Sequence, residues 1–237
     1  MLKNKVKITA LCIALVGTTG ANVAQAAESG FYLVAVTASA PAGQDIKANE
    51  VLLSAMSPFE DMIEFALAGN NSDVSKALAA ADQQAADVKP VLTTSAANRF
   101  TTLMAGLHRA VTDKDHHKTA SGAVEIFRLL IDSLQAKGLK EPKEVSLLDY
   151  AGFNLRVLAA TQNPHWQDIR RTVGEAAGWW KTIESKVSQK GLRNAFGTSI
   201  HGLEDAAKLE NLPMLRFAAQ IELDLVDLLE GDLSPKR

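Results

Sequence analysis

The sequence predicts an all-α protein made of two similar antiparallel four-helix bundles in tandem, about eight helices in all, after a cleaved signal peptide. Three observations predict this architecture. Apolar residues recur with helical spacing from Lys47 onward, cap-forming residues and prolines mark the helix boundaries, and the two halves of the chain share an apolar pattern.

The N-terminus has the three parts of a secretory signal peptide. Three lysines lie within the first seven residues, residues 8–16 are apolar, and residues 24–26 read Ala-Gln-Ala. Because this pattern precedes signal-peptidase cleavage, we expect cleavage after Ala26 and export to a bacterial periplasm. No later segment has eighteen consecutive apolar residues, so the sequence predicts no transmembrane anchor.

Charge and cysteine content narrow the functional classes. Three of the 25 Lys and Arg residues lie in the signal peptide, which leaves 22 against 27 Asp and Glu, a formal charge of −5. This mildly acidic balance argues against a nucleic-acid partner. The single cysteine, Cys12, also lies in the signal peptide, which excludes disulfides, cysteine-ligated clusters and C-x-x-C-H haem attachment from the mature chain.

The apolar spacing divides the mature chain into an arm at 27–46, a first bundle at 47–137, a linker at 138–145, a second bundle at 146–231 and a tail at 232–237. The predicted helices span residues 57–68, with a helical lead-in from 47, then 73–88, 92–112, 117–136, 146–161, 165–187, 190–208 and 212–230.

Residues that favour helix ends support these boundaries. Ser57, Pro58 and Glu60 have the order of a capping box with proline at the first helical position. The other predicted N-caps are Ser72, Asp115, Asn163 and Asn211.

The two halves match when the chain is shifted by 93 to 95 residues. Such shifts bring Phe59 onto Phe153 and His108 onto His201. Gene duplication followed by small changes in loop length explains why the shift varies between 93 and 95 residues. Generic bundle patterning would produce the same apolar positions. The sequence leaves open whether the halves form separate bundles or one merged array.

His201 and Glu204 are the first candidate metal ligands. They are three residues apart on a predicted helix, and His201 lies beside the polar face. One interpretation is a His–carboxylate pair for a metal ion. The other is a solvated face, in which Glu204 forms an i,i+4 pair with Lys208.

His108 and Met104 are the second candidates. His108 borders the apolar stripe of its helix, and Met104 lies in that stripe one turn earlier. Such a pair facing a bundle core could ligate haem, iron or copper. The alternative is a histidine hydrogen-bonded to a neighbouring helix, with Met104 filling the core. The adjacent His116 and His117 also offer a weak surface site for zinc or copper, but we expect no bound cofactor as the ordinary outcome.

Trp166, Trp179 and Trp180 all lie in the second half, and a shift of 94 residues places the last two on alanines of the first half. Adjacent residues cannot both face one core. One of these indoles is therefore expected at an interface or on the surface, where it suits a partner or ligand; core packing is the alternative.

No nucleophile elbow, phosphate-binding loop or His-Glu-x-x-His motif occurs. The sequence therefore favours a non-catalytic module that binds a periplasmic protein or small ligand, with a metal- or haem-binding bundle as the alternative. His201-Gly-Leu-Glu204 resembles the His-x-x-Glu element of imelysin-type periplasmic proteins over four residues. Because Ser199 stands where that element has glycine, the sequence assigns no family.

Overall fold

The computed structural model describes residues 42–234. The predicted signal peptide (1–26) lies outside the described residues, as do most of the predicted arm (27–46) and the end of the predicted tail (232–237). Within the described range the chain is all-α and contains no strand. Its helices are α1 (Ala42–Ser54), α2 (Ser57–Leu67), α3 (Asn71–Val88), α4 (Thr94–Thr112), α5 (His116–Ser133), α6 (Lys143–Leu158), α7 (Trp166–Ile183), α8 (Lys190–Lys208) and α9 (Leu212–Leu233).

Several helix boundaries differ from the sequence prediction by three to five residues. Helix α5 ends at residue 133 instead of 136, α6 at 158 instead of 161, and α7 at 183 instead of 187. The lead-in is a separate helix, α1, of 13 residues that starts before residue 47. Helix α6 starts at Lys143 instead of residue 146, directly after Pro142, whose φ of −57° leads the chain into the first turn.

Some predicted caps are confirmed and others are wrong. Asp115 and Asn211 each accept a hydrogen bond from an amide in the first turn of α5 and α9. Ser57 is not a cap, because α1 runs almost directly into α2 and places Met56, in helical conformation, at that position. Asn70 caps α3 in place of Ser72, and α7 begins beyond Asn163, after His165.

The helices pack in two rings of four. In the first ring α2 contacts α3, α3 contacts α4, α4 contacts α5, and α5 contacts α2. In the second ring α6, α7, α8 and α9 contact one another in the same order. Helix α1 lies against α3 and α5, and the rings meet where α6 contacts α5 and α2.

Each ring encloses its own apolar core, and the two cores touch. The first core contains the fully buried Phe59, Phe100 and Phe127, and the second contains the equally buried Phe196. Phe153 and Leu223 come from the second ring but pack into the first core. The rings of Phe127 and Phe153 meet edge to face, 5.9 Å between centroids, so apolar packing continues across the junction.

Two of the four corresponding helix pairs have equal lengths in the two rings, whereas α6 and α9 are longer than α2 and α5. Helices α3 and α7 both have 18 residues, and each continues into a three-residue 3₁₀ helix. Helices α4 and α8 both have 19 residues. Aligning the first residues of α4 and α8 matches the buried Phe100 with the buried Phe196. In the same alignment His108 corresponds to Glu204, whereas the sequence comparison matched His108 with His201.

In the part of the chain that the structure describes, no helix is both long enough and apolar enough to cross a bilayer.

Candidate functional site

A cleft of about 310 Å³ lies where α1 and α2 face the 138–142 connector, α6 and α9. Its lining combines apolar and acidic side chains. The apolar side chains are Ile46, Leu53, Met56, Phe127 and Leu139. The acidic side chains are Glu50, Glu60, Glu141, Asp149 and Glu230. Ligand sites combine apolar walls with a few polar groups in this way, so the cleft is the candidate site.

The connector is held over the cleft by Asn49 and Gly138. The buried Asn49 side chain donates to the carbonyl of Gln135 (2.8 Å) and accepts from the Gln135 amide (2.9 Å). Gly138 has φ of +95°, and a Cβ there would lie 2.7 Å from Cγ1 of Ile46. Glycine is the residue that tolerates both this backbone conformation and this close approach.

The basic residues of the lining do not pair with its deepest carboxylates. Two lysines, Lys140 and Lys143, line the cleft. The Lys143 ammonium donates to the carbonyl oxygens of Asp132 (3.1 Å) and Leu134 (3.4 Å) instead. Within residues 42–234, no ion pair involves Glu60, Asp149 or Glu230. The lining therefore contains more acidic groups than basic ones.

The acidic groups of the cleft perturb one another. Burial, followed by the nearby Glu230, raises the pKa of Glu60 from 4.5 to about 7. Burial raises the pKa of Asp149 well above its usual value, and the charge of Glu60 adds to the effect. Burial and then Glu141 raise the pKa of Glu230. Because shifted carboxylates collect at functional sites, these three side chains single out the cleft.

Glu222 is a further buried carboxyl behind the cleft, and the sequence analysis missed it. It is fully buried on α9, and neither of its carboxyl oxygens has a hydrogen-bond partner among the described residues. Burial, and then the charge of Asp149, raises its pKa well above 4.5. An unpaired buried polar group is costly, so its presence calls for an explanation.

Gly152 makes room for Glu222. A Cβ at position 152 would lie 2.5 Å from Cγ of Leu223 and closer still to Oε2 of Glu222. Gly152 follows Asp149 by three residues on α6, so both lie on the same side of the helix and Glu222 packs about one turn along from Asp149. When the first residues of α5 and α9 are aligned, Glu222 corresponds to the buried Ile126 of the first ring. The signal that the sequence offered was this one acid within the apolar stripe of α9.

The structure separates His108 from Met104 but keeps His201 beside Glu204. Nε2 of His108 lies 2.8 Å from Oδ1 of Asp82 on α3, and the side chain of His108 is half exposed. Met104 is buried in the first core, so the two do not converge. Nδ1 of His201 lies 3.0 Å from Oε2 of Glu204, with the His201 side chain 80% exposed.

The other histidines add no ligand set. Nε2 of His116 lies 3.0 Å from Oδ1 of Asn71, and His117 is exposed. Residues 42–234 contain no group of three or more His, Cys, Asp or Glu side chains placed to hold a metal ion.

The three tryptophans lie in different environments. Trp180 is 6% exposed and packs on Phe196 in the second core, 4.6 Å between ring centroids. Trp179 is partly buried, and the Arg128 guanidinium lies 5.3 Å from its ring and 4.8 Å from that of Tyr150. This contact joins α5 to α6 and α7. Trp166 is partly buried against the second core, so Trp166 and Trp179 keep exposed area and Trp180 does not.

A second, almost wholly apolar groove of about 440 Å³ lies between α8 and α9. Phe217, which is 68% exposed, lies on its wall. Among the residues that the structure describes, the groove is lined by no charged side chain that could select a ligand.

Comparisons with protein-family models, with curated proteins and with solved structures found no match for this chain. The site is therefore interpreted from its geometry and charge.

Proposed function

We propose that the chain is an exported binding protein without chemistry of its own, and that its ligand occupies the cleft between the two helix rings. The observation that carries this proposal is the unpaired acidic set formed by Glu60, Asp149 and Glu230 in a cavity with apolar walls. Glu60 and Asp149 are partly buried, and burial makes their ionised forms costly. A ligand that offsets this cost explains why the cleft retains them.

The cleft suits retention of a small molecule. Its volume of about 310 Å³ lies at the lower end of ligand pockets, which hold roughly 300–1,000 Å³. The walls come from six elements, namely α1, α2, α5, the connector, α6 and α9. A bound molecule would therefore contact both helix rings. Binding would therefore stabilise the folded chain against unfolding.

The test is a small-molecule screen by thermal shift, with a variant that fills the cleft. Ser146 lines the cleft, so Ser146→Phe is expected to abolish the shift given by a true cleft ligand. Ser185 is exposed on the 3₁₀ helix after α7, and Ser185→Phe is the matched control that should keep the shift. A broad screen with no hit on the wild type, or hits that Ser146→Phe does not weaken, would refute the proposal.

We place the protein in a bacterial periplasm, released from a signal peptide cleaved after Ala26. The charged start, apolar run and Ala-Gln-Ala exit of the sequence support this placement. N-terminal sequencing of the protein recovered from the periplasmic fraction should begin at Ala27. Recovery of the chain in the cytoplasm with Met1 retained would contradict it.

We also propose that the two rings are duplicated antiparallel four-helix bundles. The repeated ring of contacts and the equal lengths of α3 and α7, and of α4 and α8, support this. Short loops between consecutive helices favour antiparallel packing. An experimental structure in which the two rings fail to superimpose would overturn it.

The alternative function, a metal- or haem-binding bundle, draws on two His–carboxylate contacts. His108 pairs with Asp82 and His201 pairs with Glu204, and each pair offers two ligands where a stable site needs three or four. Metal analysis and a visible spectrum of the purified wild type and of His108→Ala test it. Copper, iron or haem that His108→Ala loses would establish this alternative.

A further inference from the structure

The chemistry of the cleft specifies the charge of its ligand, and this step rests on the proposed binding function. Five carboxylates line the cavity against two lysines, and Lys143 is already directed at backbone carbonyls. An anion would meet like charge at the deepest groups, Glu60 and Asp149. A neutral molecule would leave the repulsion among the carboxylates in place. A cation is the ligand that relieves it.

The apolar walls specify the rest of the ligand. Met56, Phe127 and Leu139 line the same cavity as the carboxylates. A bare metal ion gains nothing from such surfaces, and it needs several ligands converging at coordination distance. Within the described residues no such group of His, Cys, Asp or Glu exists. An ammonium group on an apolar body uses both kinds of lining.

We propose that the cleft binds a small organic cation, with its ammonium group among Glu60, Asp149 and Glu230 and its apolar part against Met56 and Phe127. The carboxylates accept hydrogen bonds from the ammonium, and charge-assisted bonds of this kind are the strong ones. The apolar contacts exclude water from them, which strengthens the attraction further.

The buried Glu222 is a further acidic group near the site, and the charge of Asp149 adds to burial in raising its pKa. Its carboxyl oxygens have no hydrogen-bond partner among the described residues, and in the alignment of α5 with α9 it matches an isoleucine of the first ring. Packing of the second core therefore does not require a carboxyl group at this position.

Binding of a cation should release a proton from Glu60. The charged groups that face Glu60 come from every surrounding element: Glu50 of α1, Asp61 of α2, Lys140, Glu141 and Lys143 near the connector, Asp149 of α6, and Asp227 and Glu230 of α9. The acids outnumber the lysines, and the raised pKa of Glu60, about 7, leaves it partly protonated at neutral pH. An arriving cation favours its ionised form and releases the proton.

The experiment compares three probes of one shape and different charge on the full mature chain by isothermal titration calorimetry. The probes are phenethylamine (a cation), 2-phenylethanol (neutral) and 3-phenylpropionate (an anion). Phenethylamine should bind at least about tenfold more tightly than the other two, since one charge-assisted contact is worth that factor or more. Its affinity should rise from about pH 6 to pH 8, with proton release that varies with the buffer as linkage requires.

The variants assign the binding to the cleft. Glu60→Gln should weaken phenethylamine by about tenfold or more and reduce the proton release. Glu230→Gln, at the exposed end of the set, serves the same purpose if Glu60→Gln fails to fold. Glu184→Gln, which replaces an exposed glutamate outside the cleft, is the control and should bind as the wild type does.

The outcomes separate the ligand class from the binding function. Equal or tighter binding of the alcohol or the acid, lost in Ser146→Phe, would overturn the cation assignment and leave the binding function intact. Tight Ca²⁺ or Zn²⁺ binding that displaces phenethylamine would overturn it in favour of a metal site. Phenethylamine binding that neither Glu60→Gln nor Glu230→Gln weakens, or no binding of any probe, would also overturn it. The broad screen with Ser146→Phe decides the binding function separately.

Discussion

Replacing Glu60 by glutamine should stabilise the protein relative to the wild type, and this gain in stability should be larger at neutral and alkaline pH than at acidic pH. Glutamine has nearly the same shape as glutamic acid, but it never carries the charge. Glu60 is a partly buried side chain in the first turn of α2, where burial and Glu230 oppose its ionisation. The variant removes that ionisation and leaves the surrounding packing in place.

The magnitude follows from the pKa shift of Glu60. In the unfolded chain Glu60 loses its proton near pH 4.5, whereas in the folded chain it does so near pH 7. Between these values the folded state binds more protons than the unfolded state, so Glu60 lowers the stability as the pH rises, and the loss levels off above pH 7. A shift from 4.5 to about 7 makes this loss about 2.5 kcal/mol between pH 5 and pH 8.

The assay is urea denaturation of the wild type and Glu60→Gln at about pH 5 and pH 8. The unfolding free energy of the variant minus that of the wild type should be about 2.5 kcal/mol more positive at the higher pH. Titrating groups distant from Glu60 are the same in both proteins and cancel. The variant also removes the charge of Glu60 that helps to raise the pKa of Asp149, which moves the difference in the same direction. Glu184→Gln, which changes an exposed carboxylate outside the cleft, is the matched control. A Glu60→Gln difference that is flat, or that falls with pH, would refute the acidic-cleft reasoning.

Three further predictions concern the packing around the cleft, and each can be measured by the urea midpoint. Gly152→Ala should destabilise the protein by about 1–3 kcal/mol, because its methyl group overlaps Glu222; a stability gain would show that α6 and α9 pack less closely. Asn49→Ala should lose about 2 kcal/mol, because the amide and carbonyl of Gln135 lose their partner, and protease cleavage in the connector should speed up. Arg128→Met should cost about 1 kcal/mol by uncovering two aromatic rings and should shift the tryptophan emission; an unchanged spectrum would contradict the contact.

The sequence was a reliable guide to the helices because local physics decides them. Residue spacing on a helix is fixed at 3.6 per turn, so apolar stripes identified helices such as α4 and α8 with their ends almost correct. The caps at Asp115 and Asn211 needed only the residues beside them. The cap at Ser57 failed because its conformation depends on how closely α1 precedes α2, which residue types alone do not specify.

The candidate site could not be derived in the same way, because its members are far apart in the chain. Glu60, Asp149 and Glu230 come from α2, α6 and α9, and each by itself is an ordinary helical glutamate or aspartate. The histidines attracted attention because their residue type is rare and chemically versatile. The structure places His108 and His201 beside surface carboxylates instead.

The amino-acid sequence by itself determined the all-α class and the order and extent of most helices, because both follow from the period of apolar residues and from local capping. Only the tertiary structure decided where charge is buried. Burial depends on which helix faces meet, and these contacts join residues as distant in sequence as Glu60 and Glu230. The unpaired Glu222 behind Gly152 exists only through such a contact, because a carboxyl group becomes costly to ionise when another helix excludes water from it.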